Sequence, residues 1–289
     1  MASGVGTATS GVIALLTDFG TSDGYVGIMK GVILGIHPKA MLVDLTHEIQ
    51  PQDVREAAFV LHTAHSYFPA RTVHLAVVDP GVGTARAGVV LDTGDALFVA
   101  PDNGLLTYLL AQGRSLPTGE GPLRDLNHLV PAPIPPEWKA VSITESGFWL
   151  PSPSRTFHGR DIFAPVAAHL SKGQPVDNFG PRLDTLLSFE LPVPKRLERG
   201  GVEGAVVHVD RFGNLITSIR LEDLPGGRSV VEVAGRYTID GLSGTYAEGT
   251  GLTALVGSSG YLEVALPGGS AGMATGLGVG AVVRVRPTG

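Results

Sequence analysis

The chain changes rhythm near residue 200, and that change limits what it can fold into. Before it, strand-like and helix-like segments alternate. Residues 12–16 are a short apolar run. Residues 25–36 carry helical spacing (Val26, Met29, Val32, Ile33, Ile36) and stop before Pro38. Residues 40–45 are β-like again, and 54–66 set Ala57, Ala58, Val60, Leu61 and Ala64 on one side of a helix. Residues 72–78 read as a third strand, 89–91 with 97–99 as a hairpin, and 162–170 as a later helix. This alternation predicts an N-terminal α/β domain with a largely parallel sheet. After Gly200 only short β-rich runs remain (202–209, 215–219, 230–233, 252–256, 261–265, 282–285), parted by glycine turns such as Pro225-Gly226-Gly227. They predict a C-terminal all-β, barrel-like domain.

Leu191-Pro192-Val193-Pro194 marks the expected boundary, giving an N-terminal domain over 1–192 and a C-terminal domain over 200–289. Between about 116 and 154 the texture differs: prolines crowd into Pro131-Ala132-Pro133-Ile134-Pro135-Pro136. This stretch reads as an insertion, an excursion or flap on the first domain.

Composition narrows the function. A hydrophobic share of 43% supports a real core, and 17% charged residues is too few for a disordered chain. A net charge of -6 with no Lys/Arg run speaks against nucleic acid as a partner. With Cys 0, disulfides, thiolate catalysis and cysteine-ligated metals are excluded. No stretch reaches the ~18 apolar residues of a membrane span. The first residues lack the basic and apolar regions of a signal peptide. A soluble cytoplasmic protein is expected.

Chemistry concentrates in a few turns. In Val77-Val78-Asp79-Pro80-Gly81-Val82-Gly83-Thr84-Ala85-Arg86 an apolar strand ends in a carboxylate and a glycine loop, with an arginine seven residues on. Such a loop can aim charge into a ligand crevice. Asp79 and Arg86 are equally readable as a structural ion pair. Arg86 cannot act as a base, but it can fix an anion or a water. Thr156-Phe157-His158-Gly159-Arg160-Asp161 adds a histidine in a similar turn. Asp18, at the end of the first strand, can accept both hydroxyls of a ribose, or can cap the helix that follows. Asp210-Arg211-Phe212-Gly213-Asn214 offers a carboxylate, an aromatic face and an amide, and also fits a β-turn. Gly257-Ser258-Ser259-Gly260 can supply hydroxyls and N–H groups to a carboxylate, or be a hairpin turn. Asp102-Asn103-Gly104 reads first as a turn. No P-loop, GxGxxG or HExxH spacing is present, and His62, His65 and His74 match no metal-ligand pattern.

In order and number these segments resemble the S-adenosyl-L-methionine (SAM) hydroxide adenosyltransferase family, the SAM hydrolases, which are related to fluorinase and chlorinase. The resemblance runs from Leu15-Leu16-Thr17-Asp18-Phe19-Gly20 through Pro101-Asp102-Asn103-Gly104-Leu105-Leu106 to Leu262-Glu263-Val264-Ala265. It implies hydrolysis of SAM to adenosine and L-methionine, with SAM as substrate and no cofactor or metal. It implies a homotrimer with the substrate between subunits. The family's catalytic Asp, Arg and His fall on Asp79, Arg86 and His158, and its ribose-binding aspartate on Asp18. Methionine contacts are implied at Asp23, Asp210, Ser258 and Ser259, and adenine contacts at Phe212 and Asn214. The halogenases carry tyrosine at the Asp79 position and tryptophan at the Gln52 position, so the pattern favours hydroxide over halide. A SAM-dependent halogenase and a non-catalytic SAM or adenosine sensor are the alternatives.

Overall fold

The computed structural model describes residues 9–111 and 128–288. They form two compact units, the first holding 9–111 and 128–189 and the second 190–288.

In the first unit, β1 (Val12–Thr17), α1 (Tyr25–Ile36), β2 (Met41–Thr46), α2 (Val54–Ala64) and β3 (Val73–Val77) follow the expected alternation. The hairpin β4 (Gly88–Asp92) and β5 (Leu97–Pro101) comes next, then the short helix α3 (Thr107–Leu110). β6 (Leu129–Pro133), β7 (Lys139–Ser142), α4 (Ala164–Ser171), β8 (Arg182–Leu183) and β9 (Thr185–Phe189) complete the unit.

The main sheet has the order β2-β1-β3-β5-β4-β7-β8. Its junctions β1–β2, β1–β3 and β3–β5 are parallel, whereas β4–β5, β4–β7 and β7–β8 are antiparallel. The sheet is therefore mixed, not largely parallel. The cause is local: β4 and β5 are joined by a four-residue turn, in which Thr93 and Ala96 bond to each other, and so short a connection permits only antiparallel pairing.

Residues 116–127 of the segment read as an insertion lie outside the described residues. Beyond them, β6 pairs with β9, and β7 joins the main sheet with Ala140 and Val141 fully buried. The proline-rich spacing conceals this strand, because proline is tolerated on the small β6–β9 ladder beside it.

Residues 13 and 15 of β1 and 73, 75 and 77 of β3 share one face with Met29 and Ile33 of α1 and Ala164, Ala167 and Ala168 of α4. On the opposite face, His74 is 1% exposed and stacks on Phe98 with ring centroids 5.1 Å apart. Burial, with a smaller contribution from His65, pushes its pKa down to about 3, so it is a neutral core ring.

The second unit is antiparallel throughout. Its strands are β10 (Lys195–Arg196), β11 (Val202–Val209), β12 (Leu215–Arg220), β13 (Ser229–Val233), β14 (Tyr237–Asp240), β15 (Thr253–Val256), β16 (Tyr261–Ala265) and β17 (Val282–Pro287), with one short helix, α5 (Ala271–Thr275). They run β14-β13-β17-β11-β12-β16-β15, with β10 paired to β11, and curl in a barrel-like way around Val206, Leu215, Ile219, Val231, Leu262 and Val283. No helix among the described residues is long and apolar enough to cross a membrane.

Candidate active site

Parallel strands β1 and β3 end side by side, with Thr17 opposite Val77. Asp18 and Asp79 leave the sheet just beyond these residues, at the carboxyl ends of adjacent strands, where open α/β sheets bind ligands. Asn103 steadies this edge by donating from Nδ2 to the Val78 carbonyl at 2.9 Å. The Asp102-Asn103-Gly104 turn thus braces the Asp79 strand.

After Asp79 the chain doubles back. Val82 N–H bonds the Asp79 carbonyl, and Thr84 bonds the Gly81 carbonyl through its N–H and its hydroxyl. Arg86 returns over the carboxylate. Its Nε donates to Asp79 Oδ1 at 2.9 Å and its Nη2 to Asp79 Oδ2. The side chains are only 11% and 6% exposed. The ion pair is real, and it is part of the candidate site.

His158 comes from a distant turn. It precedes a π-helical turn, Gly159–Phe163, that runs directly into α4. Asp161 in that turn, 2% exposed, holds the approach loop by accepting from Ser154 N–H at 2.7 Å and from the Arg160 guanidinium. Burial alone would raise the Asp161 pKa, but these hydrogen bonds outweigh it and keep the group below the usual carboxylate value.

The Asp79 and His158 loops meet at Gly83. Its φ is +78°, and a Cβ there would sit 2.4 Å from the Arg155 carbonyl oxygen. Only glycine allows this approach. Across the junction Arg86 Nη2 lies 3.0 Å from His158 Nδ1. A guanidinium can only donate, so Nδ1 accepts and the imidazole proton sits on Nε2. The His158 pKa is lowered by burial and by the Arg86 charge, partly offset by Asp79, Asp161 and the Ser154 backbone. The ring is held neutral.

Asp79 and His158 form part of the wall of a cavity of about 400 Å³, within the roughly 300–1,000 Å³ common for small-molecule clefts. Arg86 is not part of that wall and stands behind both. Asp18 and Gln52 line it too. Asp18 Oδ2 accepts the Gln52 N–H at 2.8 Å, where Gln52 has φ +68°. Asp18 does not cap α1: the cap position is Gly24, with no side-chain bond. The wall also carries three rings, Phe19, Tyr25 and Phe157, packed edge-on at 5.2–5.9 Å. The sequence reading missed these rings as wall residues. The available signal was their place beside the polar turns, Phe19 after Asp18 and Phe157 before His158. Asp23 is exposed and lies outside the wall.

Within the second unit, Asp210 accepts from Phe212 N–H, Asn214 N–H and Asn214 Nδ2 at 2.8–2.9 Å. The β-turn reading therefore holds, and it presents Phe212 at 76% exposure while Asn214 is buried. Ser258 and Ser259 are exposed in the hairpin turn between β15 and β16. Nearby, Glu263 is 5% exposed and accepts from the Tyr246 hydroxyl at 2.7 Å. Burial and Glu263 push the Tyr246 pKa up to about 12. Sequence reading did not single out this pair. Among the described residues no group of three or more His, Asp or Glu side chains is arranged to hold a metal ion.

The sequence models of the SAM hydroxide adenosyltransferase N-terminal and C-terminal domains match residues 13–180 and 204–284. The chain is 41% identical to a protein of Thermus thermophilus named (R)-S-adenosyl-L-methionine hydrolase, over 94% of this chain and 98% of that one. It is 40% identical to a Salinispora tropica protein of the same name, over 94% and 97%. A fluorinase of Nocardia brasiliensis is more distant, 28% identical over 97% and 99%. A solved structure of a conserved protein from Thermotoga maritima superposes with a TM-score of 0.80 at 35% identity, covering 95% of this chain and all of that one. The chain belongs to the SAM hydroxide adenosyltransferase family.

Proposed function

We propose that this protein hydrolyses SAM to adenosine and L-methionine. The observation that carries the reading is the hydrogen-bonded row Asp79–Arg86–His158 at a cavity edge, in a chain whose relatives at 37–41% identity are named SAM hydrolases.

The reaction forms a bond from a water oxygen to C5′ and breaks the C5′–S bond. The electron pair leaves with sulfur as a neutral thioether, so no general acid is needed. The water proton is released. What must be supplied is an oxygen nucleophile in line behind C5′, about 3–3.5 Å away. With its proton on Nε2, His158 can donate to that oxygen, and Asp79 can accept from it. Arg86 acts through both: it neutralises Asp79 and fixes the His158 tautomer. Of these groups, the His158 donation and the Arg86 charge favour hydroxide over water, each unit of pKa lowering being worth about 1.36 kcal/mol. Attack on a sulfonium cancels charge, so an apolar wall such as the Phe19–Tyr25–Phe157 trio favours the transition state over separated ions.

In the same reading Asp18 binds the ribose, and Asp23, Asp210, Ser258 and Ser259 contact the methionine end. Phe212 and Asn214 take the adenine. The substrate is shared between subunits of a homotrimer acting in the cytoplasm. Aspartate at position 79 and glutamine at position 52 support hydroxide over halide.

The test is to incubate the protein with each sulfonium epimer of SAM, without added metal, and to follow adenosine and methionine. Release of both, faster from the (R) form named for the relatives, is expected. A 5′-halo-5′-deoxyadenosine formed only with halide present means a halogenase instead. Adenosine binding without turnover means a sensor. Mass in solution tests the trimer.

A further inference from the structure

Under the Asp18 turn lies a row of polar side chains that the reaction itself does not use. His47, 4% exposed, stands between two partners: its Nδ1 is 2.8 Å from Thr17 Oγ1 and its Nε2 is 2.9 Å from Asp44 Oδ1. Asp44 also accepts from Lys30 Nζ at 2.6 Å, at the half-exposed end of the row. The proton positions follow from the partners. The Asp44 carboxylate only accepts, so Nε2 donates to it. An imidazole with its one proton on Nε2 leaves Nδ1 as an acceptor, so the Thr17 hydroxyl, which also accepts from Phe19 N–H at 3.2 Å, donates to it. Burial would raise the Asp44 pKa, but the hydrogen bonds from Lys30 and His47 outweigh it and keep the group ionised.

The row ends on both sides of Asp18. Thr17 Oγ1 holds the Phe19 N–H, and the His47 carbonyl holds the Gly20 N–H at 2.8 Å. Phe19 is thus held by the Thr17 hydroxyl, which the His47 ring orients, and Gly20 by the His47 backbone. The Asp18 carboxylate is pinned separately through Gln52 N–H. An apolar side chain would fill this space at lower desolvation cost. What it cannot do is set the turn's backbone through directed bonds.

We propose that His47 is a positioning residue that fixes the Asp18 turn so that the carboxylate meets the ribose hydroxyls. This rests on the reading of Asp18 as the ribose ligand. A pair of vicinal hydroxyls demands two acceptor sites at set angles, so a turn free to rock would lose affinity before it lost chemistry.

The experiment compares Thr17→Val, which keeps shape and β-branching but deletes the hydroxyl, with Thr17→Ser, Asp44→Asn and Asp18→Ala. Adenosine affinity by calorimetry, KM and kcat for SAM, and thermal midpoints are measured on the full chain. Thr17→Val is expected to weaken adenosine binding and raise KM about ten-fold, the worth of one well-placed hydrogen bond, with kcat within about three-fold. Thr17→Ser restores both. Asp44→Asn shifts KM in the same direction by less, and it carries the test if Thr17→Val does not fold. Wild-type KM and adenosine affinity in folded Thr17→Val, or in Asp44→Asn where that variant decides, overturn the proposal, as does a loss confined to kcat. If Asp18→Ala binds adenosine normally, the ribose reading has failed. If Asp18→Ala loses binding while Thr17→Val does not, only the positioning role has failed.

Discussion

Two aspartate turns, one in each unit, start from the same sequence pattern and are built in opposite ways. Asp79 follows β3 and Asp210 follows β11, and each opens a glycine-bearing turn. Asp210 is satisfied by its own neighbours, all within four residues. Asp79 is satisfied by a guanidinium seven residues on, which in turn reaches a histidine a further 72 residues away. The first arrangement forms as soon as the turn forms. The second exists only when two loops have docked. Equal local signals therefore hide different dependence on the tertiary structure, and the docked arrangement is the one that concentrates charge at a cavity edge.

The largest expected contrast is between alanine substitutions at the two positions. Asp79→Ala strands the Arg86 charge in a site where that side chain is 11% exposed, and should cost about 3–5 kcal/mol in denaturant unfolding and abolish adenosine release. Asp210→Ala removes only turn-satisfying bonds and should cost about 1 kcal/mol. Equal losses would erase the distinction. Next is Gly83→Ala, where the new Cβ meets a backbone carbonyl that cannot rotate away. Overpacking of this kind costs about 1–3 kcal/mol, and pushing the loops apart by an ångström lowers turnover about a hundred-fold. Wild-type turnover in this variant would show that the loops need not touch.

Smaller again is a titration. The His158 ring should titrate by NMR below the ordinary imidazole value of about 6.5, and Arg86→Gln should move it upward without fully restoring it, because burial is the leading cause. The sign for stability follows. A depressed folded pKa means that the unfolded state binds the proton first, so the His158 contribution is complete above about pH 6.5 and is lost as pH falls through the folded value. A ring titrating at or above its ordinary value would contradict the Arg86 contact. The smallest effect on stability belongs to Phe212→Ala. At 76% exposure it should stay within about 0.5 kcal/mol of the parent while raising KM for SAM. An unchanged KM would remove the ring from the proposed adenine site.

Much of the fold is legible because periodicity survives in it. The alternation of β1, α1, β2, α2 and β3 and the run of short strands after Gly200 are both present in the structure. The antiparallel β4–β5 hairpin is legible, but the rest of the sheet's antiparallel half is not. It depends on which neighbour β4 and β7 choose, and a proline-rich stretch masks the latter. The helix after His158 is expected over 162–170, whereas a π turn fills 159–163 and α4 starts at Ala164. Hydrophobic spacing does not register the extra residue. In the site, the Asp79–Arg86 pair was open to view at seven residues' separation. The Arg86–His158 bond had no local signal and was expected only because the order of motifs resembled a family. Gly83 carries the loop contact, yet in sequence it is one of 40 glycines.

The π turn after His158 also sets a limit on chain length at this point. A π turn is an α-helix carrying one surplus residue. Deleting a single residue from 159–163 would let a continuous α-helix form, a locally favourable outcome. It would also swing everything before the turn by about 100° around the helix axis, carrying His158 away from Arg86. A shortened chain of this kind should keep its helix content and lose the Arg86–His158 contact. The surplus residue is thus a spacer in the literal sense, holding one imidazole in phase with a loop that the chain left more than 70 residues earlier.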